Sequence, residues 1–186
     1  MQLILEFLSS VYPISTKWVD YLNVTLKLWE VPKNTVILKE GQTCRNIFFI
    51  EKGLVRSFYM KDDSEVSSWF MKEGDIIISV KSFYTQKPAE EYLQTIEDCI
   101  LYGISYQDLS FVYHNFMEFN FIGRVLTEKY YMKSEERLYT IRKQKGKKRY
   151  EIFREQEPDL LQRIPSKYIA SYLGLSIETL SRLRHK

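Results

Sequence analysis

The stretch PSKYIASYLGLSIETLSRLRHK, residues 165–186, decides how the rest of the chain is read. Ser166, directly after Pro165, is placed to cap a short helix over KYIASYL, because a serine hydroxyl accepts from the free N–H groups of a helix start. Gly174 follows where the chain must turn sharply through a left-handed backbone. Ser176 can cap a second helix, and Glu178 complements its positive end. Ile169, Leu173, Leu175, Leu180 and Leu183 supply a small shared core, with Ala170 small where the helices cross. A small residue at 170, glycine at 174 and an apolar residue at 180 have the spacing of a helix-turn-helix.

The second helix keeps Ser176, Glu178, Thr179, Ser181, Arg182 and Lys186 away from its apolar side. Arginine bonds both acceptors of a guanine edge and glutamate accepts from a cytosine amine, so Glu178 and Arg182 are the candidate base-reading pair. Ser176 and Thr179, with Ser166, Lys167 and Lys186, are the candidate phosphate contacts. The competing reading is a surface ion pair, since Glu178 and Arg182 lie one helical turn apart. Charge favours the first reading. Residues 1–128 hold 12 Lys and Arg against 17 Asp and Glu, whereas residues 129–186 hold 15 against 7. The basic final third suits a polyanion such as double-stranded DNA.

Upstream, residues 3–28 mix apolar and polar positions at helical spacing, broken at Pro13. From Trp29 the period shortens. Runs such as KNTVILKEG, CRNIFFIEKG and LVRSFYMKDD end in turn signals at Gly41, Gly53, Asp62-Asp63 and Gly74-Asp75, and YLQTIEDCILYGIS adds two more strands. Evenly spaced short strands of this kind make an antiparallel jelly roll. Residues 115–143 then read as one long helix with two apolar stripes. A surface helix needs only one such stripe. The set Phe121, Ile122, Val125, Leu126 and Met132 therefore points to a homodimer packed along this helix, the alternative being burial between roll and C-terminal domain. The basic run RKQKGKKR, broken by Gly146, reads as a solvated hinge whose lysines can also meet phosphate.

SIETLSRL, residues 176–183, resembles the reading helix of the Crp/Fnr family of bacterial transcription regulators, and EGQTCRNIFFIEKGLVRSFY, residues 40–59, resembles the family's β-roll. The resemblance implies an α+β fold. Residues 1–114 would be a cyclic-nucleotide-binding-like β-roll, 115–145 a dimerisation helix and hinge, and 146–186 a helix-turn-helix domain truncated after its recognition helix. It also implies a cytoplasmic DNA-binding homodimer, with RNA polymerase as a further partner. By position it makes Glu178 and Arg182 the base readers and Ser176 and Thr179 phosphate contacts, while Ile177 stands where the family frequently has arginine. In the family a β-hairpin wing follows the reading helix. The expectation here is a wingless variant in which lysines around 143–148 compensate.

The family's nucleotide cassette pairs Gly-Glu for the ribose with Arg-Ser/Thr for the phosphate. Here Ile78 and Ser79 stand at the first pair, and Ala89 and Glu90 at the second. Without the arginine and with Glu90-Glu91 near its place, an anion would be repelled, so neither cyclic AMP nor cyclic GMP is expected. Those four positions mark the candidate pocket for another effector, with Lys81 and Lys87 nearby as anion contacts. No metal or catalytic site is expected. The histidines, His114 and His185, are far apart in sequence, and Cys44 and Cys99 read as buried reduced thiols. No apolar run is long enough to span a bilayer. The rival to DNA reading is a small-molecule-binding roll whose C-terminal helices dock a protein partner.

Overall fold

The computed structural model describes residues 1–184. Two helices, α1 (Gln2–Val11) and α2 (Thr16–Thr25), precede the strands β1 (Lys27–Val31), β2 (Val36–Leu38), β3 (Asn46–Lys52), β4 (Val55–Lys61), β5 (Ser64–Met71) and β6 (Ile76–Ile77). Helix α3 (Val80–Thr85) separates these from β7 (Tyr92–Thr95) and β8 (Cys99–Ser105). The strands form two antiparallel four-stranded sheets, in the orders β1-β8-β3-β6 and β2-β7-β4-β5. The expected turns are present: Asp62 and Asp63 both take positive φ, joining β4 to β5 in a tight hairpin.

Gly53 shows why a glycine is needed between β3 and β4. Its φ is +102°, and a Cβ there would lie 2.6 Å from both the Asp98 carbonyl and the Cys99 sulfur. Gly53→Ala therefore destabilises the roll by about 2 kcal/mol or more, read as a lowered urea midpoint.

Two helices absent from the sequence reading belong to the roll. One is α3. The other is α4 (Tyr106–Asn115), which begins at the last residue of β8 and is capped by the Ser105 hydroxyl accepting from the Asp108 N–H. The long helix, α5 (Met117–Lys143), follows at once. Phe119, Ile122 and Leu126 on α5 join Trp18, Phe48, Phe49 and Val112 in the main core. Ile122 and Leu126, assigned from sequence to a dimer face, are thus covered by the chain's own roll, because the i, i+4 pair falls on the inward stripe. Phe121 and Met132 are the exposed members of that set, and Val125 is half-buried.

Gly146 starts the next helix rather than closing the long one: after a two-residue link come α6 (Gly146–Gln156) and the single turn α7 (Leu160–Arg163). Then come α8 (Ser166–Leu173) and α9 (Ile177–Arg184). Their core unites Tyr150, Phe153, Leu160, Ile164, Ile169, Leu173 and Leu180 with three residues of the roll, Leu54, Phe70 and Ile96.

Candidate functional site

Helices α8 and α9 meet at Gly174, whose φ of +61° and ψ of +43° make the left-handed turn. Leu180 is fully buried and Ala170 almost so, while Leu175 and Leu183 are partly buried around them. The Ser176 hydroxyl accepts from the Thr179 N–H at 3.2 Å, the expected cap of α9. Ser166 does not cap α8. The helix begins on the Pro165 carbonyl, and the Ser166 hydroxyl instead accepts from Arg184 at 2.9 Å.

Glu178, Ser181 and Arg182 are exposed on the outer side of α9, with Ile177 beside them. Arg182 reaches the Glu178 carbonyl at 3.4 Å and the Thr179 hydroxyl at 3.3 Å, not the Glu178 carboxylate. The ion-pair reading therefore has no support from geometry. The Glu178 backbone N–H and the Ser176 hydroxyl hold the Glu178 carboxyl below the usual range, so it is an ionised acceptor at neutral pH. Lys167 is exposed on α8, its ammonium 4.7 Å from the centre of the Tyr168 ring. Lys186 and His185 lie outside the described residues. In the hinge, Lys147 and Lys148 approach Glu151 at 3.8 and 3.7 Å.

Helices α8 and α9 do not hang free of the roll. Arg56 on β4 is completely buried, its guanidinium between the rings of Phe58 (4.0 Å) and Tyr168 of α8 (3.6 Å). It donates twice to the Gln94 side chain and pairs with Glu65. The Ser67 N–H donates to Ser171 Oγ at 3.1 Å, and Arg137 of α5 covers the Tyr172 ring at 3.3 Å. Below them, Arg163 binds Glu73 and Glu97 through paired hydrogen bonds of 2.6–2.9 Å, and Lys72 binds Glu157 and Asp159.

This ionic seam has a pH sign. Partial burial works against the charge of Glu73 and of Asp159, but the bonds from Arg163 and Lys72 respectively outweigh it and hold both carboxyls below their usual range. A depressed carboxylate stabilises above its unfolded pKa and loses that contribution as pH falls through the folded value. Thermal stability should thus decline as pH drops below about 4.5, and Arg163→Gln should flatten that decline in melts recorded against pH.

The four effector positions do not converge. Ile78 faces a cavity of about 700 Å³ between the roll, α1, α2 and α5. Ser79 and Glu90 line an adjoining pocket of about 390 Å³ with Glu40, Lys81 and Glu91, the last two of which line the first cavity as well. Ala89 lines neither, because its backbone is paired with Gly41 and Gln42. Lys81, considered from sequence as an anion contact, is paired with Glu90. Among the described residues no cluster of His, Cys, Asp and Glu is arranged to hold a metal, and both thiols are buried and free. Burial pushes the Cys99 thiol up to about 11, so it is inert at neutral pH. No described helix is long and apolar enough to cross a membrane.

Residues 28–115 match the family of cyclic nucleotide-binding domains. The structure resembles CLP of Xanthomonas campestris, described as a c-di-GMP-responsive global regulator, at 18% identity and a TM-score of 0.71, over 92% of this chain and 90% of that one. It resembles a Crp/Fnr-family transcriptional regulator from Eubacterium rectale at 16% identity and a TM-score of 0.72, over 92% and 82%. The fold is that of the Crp/Fnr regulators. A variant of CooA from Carboxydothermus hydrogenoformans shares it at 15% identity and a TM-score of 0.73, over 92% and 79%. No curated protein sequence matches significantly. Within this fold, the β-roll and α4 occupy the stretch matched by the domain family, and α5 leads out of it to helices α6 to α9.

Proposed function

We propose that this chain is a DNA-binding transcription regulator of the Crp/Fnr type, reading a near-palindromic site as a homodimer. The observation that carries the reading is α9 itself: its apolar side is sealed by Leu180 while Glu178, Ser181 and Arg182 stand exposed and unpaired with one another. Ser176, Thr179, Ser166 and Lys167 would engage the sugar-phosphate backbone around that helix. Selection from a randomised duplex pool by the purified protein should enrich an inverted repeat with half-sites about one DNA turn, roughly 34 Å, apart. An unenriched pool from an intact dimer would reject the reading. If six or more phosphates are neutralised, affinity should fall about 10³-fold or more between 50 and 200 mM salt, measured by fluorescence anisotropy.

The outer face of α5 supports the dimer. Phe121, Met132 and Tyr139, which share one side of the helix, are all exposed there, more apolar surface than a solvated helix needs. Met132→Glu should convert the dimer to monomer in sedimentation experiments at micromolar concentration, with the circular dichroism spectrum unchanged. Cyclic nucleotide would not be the effector: Ala89 is turned into backbone pairing and Glu90 and Glu91 sit by the smaller pocket, so no arginine meets a phosphate there.

A further inference from the structure

The turn between α8 and α9 is anchored from outside its own pair of helices. Arg149 on α6 donates to the Gly174 carbonyl at 3.2 Å and to the Gln144 carbonyl, at the end of α5, at 3.0 Å. One guanidinium thus bridges the turn and the end of the long helix, a use of the planar fork that a lysine does not reproduce. Its Nε–H is buried without an acceptor, a cost that the two carbonyl bonds offset. Arg137 of α5 adds a bond to the Tyr172 carbonyl beneath its contact with the Tyr172 ring.

Gly146 supplies a third contact. It opens α6 outside the left-handed region, where glycine is a poor helix former. A Cβ at this position would lie 2.5 Å from Leu175 Cδ2, so the bare backbone leaves Leu175 its seat. The link that these contacts span, Gln144-Lys145, is extended at both residues. Two such residues alone do not fix the angle between the helices they join.

Helix α9 is therefore held at both ends. Its start is tied to α5 and α6, and its far end to α7 and α8 by Arg184, which donates to the Ser166 hydroxyl at 2.9 Å and the Leu161 carbonyl at 3.1 Å. Leu180 lies fully buried between the two ends. The contacts of Arg56 and Ser67 with Tyr168 and Ser171 hold α8, not the start of α9.

We infer that Arg149 is a positioning residue: by tying Gly174 to the end of α5 it fixes the tilt of α9 about Leu180, and with it the half-site spacing that the homodimer accepts. The inference rests on the proposed DNA reading. Glu178 and Arg182 choose bases within one half-site, whereas the distance between half-sites is set by what joins each α9 to the dimer helices. One added base pair moves the half-sites about 3.4 Å apart and turns them by about 35°. A clamped α9 does not follow that change, and a released one does.

The test compares the repeat selected by the parent protein with the same repeat carrying one base pair inserted at its centre. The parent should prefer the selected spacing by about 10-fold or more. Arg149→Met keeps the stem but no donor, and should reduce the preference to about 3-fold or less with the same bases chosen in each half-site. Arg149→Lys keeps the charge but not the fork, so relaxed spacing in both variants is not lost attraction for phosphate. Thermal melts establish which variants are folded at the assay temperature, and either one suffices to read the spacing. Parent-like spacing preference in the folded variants, even with weaker binding overall, would overturn the inference and leave DNA reading standing. Altered bases at unaltered spacing would place Arg149 among the base contacts and also overturn it. A parent protein that enriches no repeat would overturn the DNA reading and this inference with it.

Discussion

Replacing Arg56 by alanine should cost the fold about 3 kcal/mol and lower the melting temperature by about 6–12 °C. The side chain is wholly buried, so its removal leaves a cavity between β4 and α8 that the surrounding rings fill only in part. Two desolvated cation–π contacts go with it. Gln94 also loses both donors to its side-chain oxygen. Glu65 is less affected, being partly exposed and able to recover water. Lysine should rescue little, because an ammonium neither stacks between Phe58 and Tyr168 nor forks onto Gln94. A double-mutant cycle with Tyr168→Leu should return a coupling of about 1 kcal/mol or more in urea titrations. Additive effects would mean that the sandwich contributes nothing as a unit.

The second large effect is on DNA selectivity. In the proposed complex each half-site is read by Glu178 and Arg182, and one good bidentate base contact is worth about 1–3 kcal/mol of discrimination. Both residues are exposed and neither supports the core, so Glu178→Ala with Arg182→Ala should leave folding and dimerisation unaltered. Across two half-sites, preference for the selected repeat over random duplex should fall at least about 10³-fold. Residual non-specific binding should keep its steep salt dependence, because the phosphate contacts remain. Since the Glu178 carboxyl lies below its usual range, parental selectivity should hold from neutrality down through about pH 5. Competition binding with specific and scrambled duplexes separates the terms. Retained selectivity in the double variant would remove these two residues from base reading.

The turns of the roll were legible because their chemistry is local. Gly41, Gly53, Gly74 and the Asp62-Asp63 pair all adopt positive φ, and glycine and aspartate announce that in any context. The pair of helices α8 and α9 was legible for a related reason, since the turn glycine and the apolar spacing are both encoded within residues 165–184. The helices α3 and α4 were not. The first is six residues long and ends at Gln86, a non-glycine residue in the left-handed region. The second starts on the last strand residue with no glycine or proline between, so the strand pattern runs into it unmarked. Arg56 was invisible for a different cause. In LVRSFY it occupies an outward strand position that is ordinarily solvated, and only the arrival of α8 buries it. The cavity was likewise hidden, since its walls come from segments more than a hundred residues apart.

The shared second core bears on how such a protein could be recombined. Because Leu54, Phe70 and Ile96 of the roll complete the packing around Phe153, Ile164 and Leu173, the link between Lys143 and Gly146 is a seam in the chain but not in the interior. A chimera joined there, carrying these C-terminal helices on a foreign roll, would expose an apolar surface cut to fit a floor that stayed behind. Grafting the proposed DNA specificity therefore calls for moving the outer side of α9 alone, or for moving the floor along with the helices.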